Sequence, residues 1–285
     1  MTTAERLPRV LAIAGSDSGG GAGIQADLKA FAHCGVHGMT AITAITAQNT
    51  AAVTGVWPIA PDAIVEQVRA VADDIGVDAV KIGMLGTVAT IAAVEQALDL
   101  VRDAPVVLDP VMVAESGATL LDDDARAALR DRLLPRATVL TPNVPEAKVL
   151  TGRAPDEQVD LETLAREVAA LGPRVVVVTG GHTEAASDVY FDGERAVFIP
   201  GERHSGGAAH GSGCTHSSAL AAHLALGFDP LEAAQHAKEV AAEAVRQGLR
   251  GLGGGAGPVD VFGLMARRGS GGAGGMGGSA GAAGV

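Results

Sequence analysis

Residues 79–110 read AVKIGMLGTVATIAAVEQALDLVRDAPVVLDP. A short apolar run, Ala79–Ile82, is followed by glycines, then by a helical pattern over Thr87–Arg102, then by a second apolar run, Val106–Asp109. Strand, helix and strand in that order make a βαβ unit. The same alternation extends in both directions. Upstream lie candidate strands Val10–Ala14 and Met39–Ala47, with helical patterns over Ile24–His33 and Pro61–Ile75. Downstream lie strands Thr138–Thr141 and Val175–Thr179, with helices Asp122–Leu134 and Leu161–Leu171. Val189–Phe191 and Ala196–Ile199, split by Asp192-Gly193, predict an edge hairpin. Helices over Thr215–Leu226 and Pro230–Gln247 then close the unit. The expected fold is an α/β three-layer sandwich with a mostly parallel central sheet and helices on both faces.

Composition agrees with that architecture. Of 285 residues 47% are apolar but only 2% aromatic, so the core must be built from Ala, Val, Leu and Ile, as in a covered parallel sheet. A formal net charge of −12 argues against a nucleic-acid binder, because little basic surface exists to release phosphate counterions. Two cysteines, Cys34 and Cys214, form no framework, and the N-terminus has no apolar stretch of secretory type. No apolar run reaches the length of a membrane helix. A cytoplasmic protein is expected. From about Arg267 the composition collapses to Gly, Ala and Ser, too little apolar area to offset ordering entropy, so residues 1–266 are read as one domain and 267–285 as a disordered tail. A G-x-S-x-G match at Gly277–Gly281 lies in that tail without strand or helix around it and is read as chance.

The candidate strands end in glycines or small polar residues: Gly15-Ser16-Asp17, Gln48-Asn49, Gly83-Met84, Asp109-Pro110, Pro142-Asn143 and Gly180-Gly181-His182. Ligands of open parallel sheets bind beyond the carboxyl ends of the strands. Turn and cap chemistry explains any one of these clusters alone, whereas six in succession favour a ligand-lined crevice. The strongest local signal is His210-Gly211-Ser212-Gly213-Cys214-Thr215-His216, opening a helix. Small residues admit an anion to the first N–H groups of that helix, and its dipole should lower the Cys214 pKa. The structural alternative is a tight turn with Cys214 as a small buried hydrophobe. The loop Gly15–Gly23 has no well-formed G-x-G-x-x-G, which speaks against a dinucleotide site, and the absence of any Gly-Lys pair excludes a Walker A loop. On periodicity alone Asp27 is a solvated helix residue. Asn143 and Glu146 fit a helix cap. Asp109, ending a buried strand, needs a cation or donors. The histidines lack zinc spacing, so no metalloenzyme is expected.

The segments AGSDSGGGAGIQADLKAF, TAITAQNT, KIGML, VVLDPVM, LTPNVPEA, GGH and HGSGCT, in this order, resemble hydroxymethylpyrimidine/phosphomethylpyrimidine kinases of thiamine biosynthesis, within the ribokinase superfamily. The resemblance covers about Val10 to Phe262. It implies a ribokinase-like αβα sandwich and ATP-dependent phosphorylation of 4-amino-5-hydroxymethyl-2-methylpyrimidine and its monophosphate, with Mg²⁺. It places Gly15, Ala22, Asp27, Gln48, Met84 and Val111 in the pyrimidine pocket, with Asp109 beside them. It gives Asn143 and Glu146 the ordering of Mg²⁺ and phosphates, with Asp109 and Glu146 as the carboxylates at the metal. Thr179, Gly180, Gly181 and His182 fall at the nucleotide. Gly211, Ser212 and Gly213 match the anion hole, and Cys214 the catalytic base.

Three departures stand out. The family often has lysine where this chain has Thr179, Lys-Ser-Gly where it has Glu115-Ser116-Gly117, and Asn-Thr where it has Ala208-Ala209. Lysine occurs only at positions 29, 81, 148 and 238, so phosphate charge falls to Mg²⁺, the helix terminus and Arg203. Two alternatives stay open: a kinase of pyridoxine-type vitamers on the same scaffold, and a non-catalytic ligand-binding relative. No nucleic-acid or membrane partner is expected. A homodimer is the default assembly, with the edge hairpin as one candidate surface.

Overall fold

The computed structural model describes residues 6–181, 186–204 and 208–271. Strands β1 (Arg9–Ala14), β2 (His37–Ile42), β5 (Ala79–Ile82), β6 (Val106–Leu108), β7 (Val139–Leu140) and β8 (Val175–Val178) pair in parallel, and the antiparallel strands β9 (Asp188–Phe191) and β10 (Ala196–Ile199) complete one edge. The order is β10-β9-β8-β7-β6-β5-β1-β2. A separate two-stranded ribbon joins β3 (Ala44–Gln48) to β4 (Val53–Pro58).

Every residue of β5 and β8 is buried, because both faces of the sheet are covered. Alternation along β1 sends Leu11 and Ile13 into one core and Val10 and Ala12 into the other. The first core is closed by α2 (Pro61–Asp74), α3 (Val88–Leu98), α4 (Asp123–Ala128), α5 (Val144–Thr151) and α6 (Leu161–Ala169). The second is closed by α1 (Gly23–His33), α7 (Ser212–Ala225) and α8 (Pro230–Arg246). Ala219, Ala221 and Ala222 on α7 are fully buried, as are Ala233, Ala234 and Ala237 on α8. Small side chains on both helices let them pack closely, which is how a chain with almost no aromatics fills this layer.

Helix starts follow their caps. Thr87, Asn143, Asp160 and Asp229 each accept a backbone N–H from the first turn of α3, α5, α6 and α8. The helix expected over Asp122–Leu134 is α4 continued by a π-turn, Leu129–Leu133, and a 3₁₀ turn, Leu134–Arg136, where Pro135 cannot supply an N–H.

Two expectations need correction. The single strand Met39–Ala47 is in fact two. At the fully buried Thr43 the backbone N–H bonds to the Ala14 carbonyl (3.0 Å), Oγ1 donates to the Met84 carbonyl (2.8 Å), and the chain leaves the main sheet. The strand β4 that then pairs with β3 was not foreseen; its Gly55 and Pro58 are weak strand formers. The boundary expected at Arg267 also falls inside a helix. A last helix, α9, runs Leu264–Gly271, continuing into the basic Arg267 and Arg268 before the glycines dominate; residues 272–285 lie outside the described residues.

Candidate active site

The loop after β1 is wound around one carboxylate. Asp17 accepts the N–H groups of Gly19 (2.7 Å), Gly21 (3.0 Å) and Ala22 (2.8 Å), and lies 2.9 Å from Nε2 of His210. Burial works to raise the Asp17 pKa, but the His210 bond and the Ala22 and Gly19 amides outweigh it and hold it below its ordinary value. His210 immediately precedes the glycine turn of α7, so this contact clamps two loops 193 residues apart. At Gly211 (φ 84°) the clamp is closest. A Cβ there would lie 1.8 Å from the Gly21 carbonyl oxygen, so only glycine fits.

Beneath that junction is a cavity of about 420 Å³ at the carboxyl ends of the strands. On one side it is lined by Gly15, Ala22, Gln48, Met84 and Val111, on the other by Asn143, Glu146, Thr179 and Gly181. A β-bulge between Ala47 and Gln48 turns the latter, and Ser18 fixes its backbone by accepting from the Gln48 N–H (2.8 Å) and donating to its carbonyl (2.6 Å). Gly15 lets the Met84 thioether lie against the backbone: a Cβ there would be 2.3 Å from Met84 Cε and would displace that flexible side chain.

Gly211, Ser212, Gly213 and Cys214 bring the first turn of α7 to the cavity wall. Gly211 caps α7 without any side-chain bond; the Ser212 N–H is taken by the Ala209 carbonyl (2.9 Å), and the N–H groups of Gly213 and Cys214 behind it are the ones open to an anion. Asp109 is drawn against this turn. Ser217 Oγ donates to Asp109 Oδ2 (3.0 Å) and also reaches the Gly213 carbonyl (2.9 Å). Glu146 closes the capping box, its Oε2 accepting the Asn143 N–H (2.9 Å) while Asn143 Oδ1 accepts the Glu146 N–H (2.9 Å).

Both carboxylates resist ionisation. Burial and then the Asp109 charge push Glu146 up to about 8, against the Asn143 and Met112 amides. Burial also raises Asp109, opposed by Lys81 and Ser217. Two buried carboxylates that repel one another suit a divalent cation, and Mg²⁺ takes one or two carboxylates and completes its shell with phosphate oxygens and water. Among the described residues there is no cluster of three or more metal-binding side chains.

The sequence-based site is corrected at three points. Asp27 does not line the cavity. It is fully buried beneath it, 2.7 Å from the equally buried Lys81 Nζ, and Ser218 Oγ donates to the same oxygen (2.7 Å). Its helix turns that side inward, so it is not the solvated residue that periodicity suggested. Lys81 is the residue of this pair that reaches the cavity. Second, the Cys214 thiol is not lowered. Burial pushes it up to about 12, Asp27 and Asp109 add to that, and Lys81 with the Gly23 amide only partly offsets it. Burial, more than the carboxylates, overrides the lowering expected of the helix terminus. Third, Gly180 does not line the cavity; its N–H bonds to Asp188 Oδ1 (2.9 Å). His182 lies outside the described residues.

Sequence reasoning missed Lys81, His216 and the Lys238–Asp188 pair, all of which line the cavity. The signal for the lysines was their scarcity.

A helix terminus and two buried carboxylates facing one cavity at the strand ends of a mostly parallel sheet are the arrangement of a phosphoryl-transfer enzyme of the ribokinase-like kind. The profile of the phosphomethylpyrimidine kinase family matches residues 17–260, and the chain belongs to that family. A hydroxymethylpyrimidine/phosphomethylpyrimidine kinase of Streptomyces coelicolor is 46% identical over 254 residues, covering 89% of this chain and 94% of that one. Among solved structures, the ADP complex of Bacillus subtilis pyridoxal kinase aligns with a TM-score of 0.83 and 41% identity over 91% of this chain and 99% of that one. A phosphomethylpyrimidine kinase from Clostridium difficile aligns with a TM-score of 0.74 and 38% identity, over 84% and 100%. Among the described residues, no helix is long and apolar enough to cross a membrane.

Proposed function

We propose that this enzyme transfers the γ-phosphoryl group of ATP to the hydroxymethyl group of 4-amino-5-hydroxymethyl-2-methylpyrimidine, and in a second turnover to the resulting monophosphate. The observation that carries the reading is the meeting, in one cavity, of the α7 terminus at Gly211–Cys214 with Gln48 and with the carboxylates of Asp109 and Glu146. The Gln48 amide can accept from an exocyclic amine while donating to a ring nitrogen, the two-point geometry that glutamine uses on adenine. Met84 and Val111 supply apolar walls. The N–H groups of Gly211 and Gly213 meet the charge that develops on the transferred phosphoryl.

In the transfer the hydroxymethyl oxygen forms the new bond to phosphorus, the bond from that phosphorus to the bridging oxygen breaks, and ADP leaves. The hydroxyl proton passes to the Cys214 sulfur. To accept it, Cys214 must first lose its own proton, and Lys81 is the positive charge beside it that favours the thiolate. Asp109 and Glu146 would hold Mg²⁺, which when bound supplies charge neutralisation at the phosphates. Residues 1–266 form the catalytic unit in this reading, without any role for the Gly/Ala/Ser tail.

The likeness to pyridoxal kinase motivates a second reading, phosphorylation of a pyridoxal-type vitamer in the same pocket. ADP release measured with Mg-ATP and the pyrimidine, its monophosphate or pyridoxal separates the two. Turnover with pyridoxal alone would overturn the primary reading.

A further inference from the structure

The antiparallel register of β8 and β9 ends at Val178 with Val189, and its continuation would set Thr179 opposite Asp188. Directly opposed residues carry their Cβ atoms about 4.5–5.5 Å apart. Into this corner α8 delivers a cation: Lys238 Nζ is 2.7 Å from Asp188 Oδ1 and 2.5 Å from the Ala186 carbonyl. An ammonium has three N–H donors. Two are used, and the third has no protein acceptor among the described residues.

The pair presents its positive end to the cavity. Asp188 is 1% exposed and its Oδ1 also accepts the Gly180 N–H, whereas Lys238 keeps 14% of its side chain open. Nearby on α7, buried His216 has its Nε2 3.6 Å from Asp188 Oδ2 but makes no hydrogen bond, and burial lowers its pKa against the pull of Asp188, so Lys238 is the main charge partner of Asp188. The other cavity cations are worse placed. Lys81 is sealed against Asp27, and Arg203 is exposed and makes no hydrogen bond among the described residues.

We infer that Lys238 is a nucleotide-binding residue, its free N–H donating to an ATP phosphate lying along Thr179–Gly181 and supplying from α8 the positive charge that Thr179 does not. The inference rests on the ATP-kinase reading. It also explains why a carboxylate is buried at Asp188: it fixes the ammonium beside the cavity while tying down Gly180.

The test is calorimetric titration of the full chain with Mg-AMP-PCP and with adenosine. Lys238→Met should weaken AMP-PCP by about 10–100-fold, the value of a hydrogen bond to a charged group, and leave adenosine unchanged. Adding Thr179→Lys to that variant should recover affinity for AMP-PCP, because the new ammonium enters the same corner. Where Lys238→Met fails to fold around an unpaired Asp188, Asp188→Asn combined with Lys238→Met removes both charges and permits the same comparison. Unchanged AMP-PCP affinity, or an equal loss for adenosine, would overturn the inference. A wild-type protein that binds neither ligand would overturn the kinase reading itself.

Discussion

The Lys81 ammonium lies 2.7 Å from the Asp27 carboxylate, and neither side chain has any exposure to solvent. The pair joins β5 to α1 directly under the cavity. Burial alone would strip the lysine of its proton, yet Asp27, with Cys214 and Asp109 nearby, raises its pKa instead. Burial raises Asp27 against the opposing pull of Lys81 and Ser218. The fold therefore keeps a permanent positive charge below a site that handles anions.

Removing one partner should be far worse than removing both. Lys81→Met leaves Asp27 buried and alone, at a cost of about 3–5 kcal/mol, whereas Lys81→Met with Asp27→Asn should regain most of that. Denaturant midpoints of the three proteins check this. Equal destabilisation by the single and the double variant would show that the charges are not coupled.

Cys214→Ala should lower kcat by roughly 10²–10⁴, the range for a general base, with little change in ATP affinity. Cys34, a thiol half-buried beside α1 and pushed up to about 11 by burial, should tolerate alanine. Because Cys214 in the free site titrates at about 12, its reactive form is scarce at neutral pH and grows tenfold per unit as pH rises. The wild-type rate should climb on the alkaline side and the Cys214→Ala rate should not. Parallel pH profiles for the two enzymes would remove Cys214 from the reaction.

Gln48→Ala should cost about 1–3 kcal/mol of preference for the aminopyrimidine, the usual value of a two-point amide contact. The comparison is kcat/KM for the pyrimidine against pyridoxal. An unchanged ratio would move the pyrimidine elsewhere in the cavity.

Glu146 makes the ligand-free protein sensitive to pH in a defined direction. Burial pushes its pKa in the folded protein up to about 8, above the ordinary 4.5, so the folded state binds the extra proton. Stability should fall as pH rises from about 5 to 8, and Glu146→Gln should flatten that slope. Melting temperatures of both proteins across that range, without nucleotide, measure it. A wild-type protein whose stability rises instead would place the carboxylate in a more solvated setting.

Much of this was legible because it is local. The strand ends, the Asn143–Glu146 capping box and the glycine turn before α7 are each written in a few consecutive residues. What escaped depends on partners far along the chain. Asp27 looks solvated until Lys81 arrives from 54 residues away, and Lys238 looks like a surface lysine until Asp188 meets it across 50. The Cys214 pKa was misread for the same reason: the helix terminus is visible in sequence, while the burial that raises the thiol, and the smaller push from Asp27 on α1 and Asp109 after β6, come from packing. The departure of β3 from the sheet is set by Thr43 bonding to Ala14 and Met84, again a tertiary event.

The contact between Gly211 and the Gly21 carbonyl alters how loss-of-function variants at this position must be interpreted. Any side chain at 211 would have to adopt a left-handed backbone and push the loop after β1 away, and that loop carries the Ser18 hydroxyl that anchors Gln48. A substitution there would misplace the acceptor while every phosphate-binding N–H group remained present in the chain. In a saturation screen position 211 would therefore register as intolerant through geometry transmitted to the opposite wall. Its silence could not be counted as evidence for a chemical contact, and suppressors of it should arise in the Gly19–Ala22 loop.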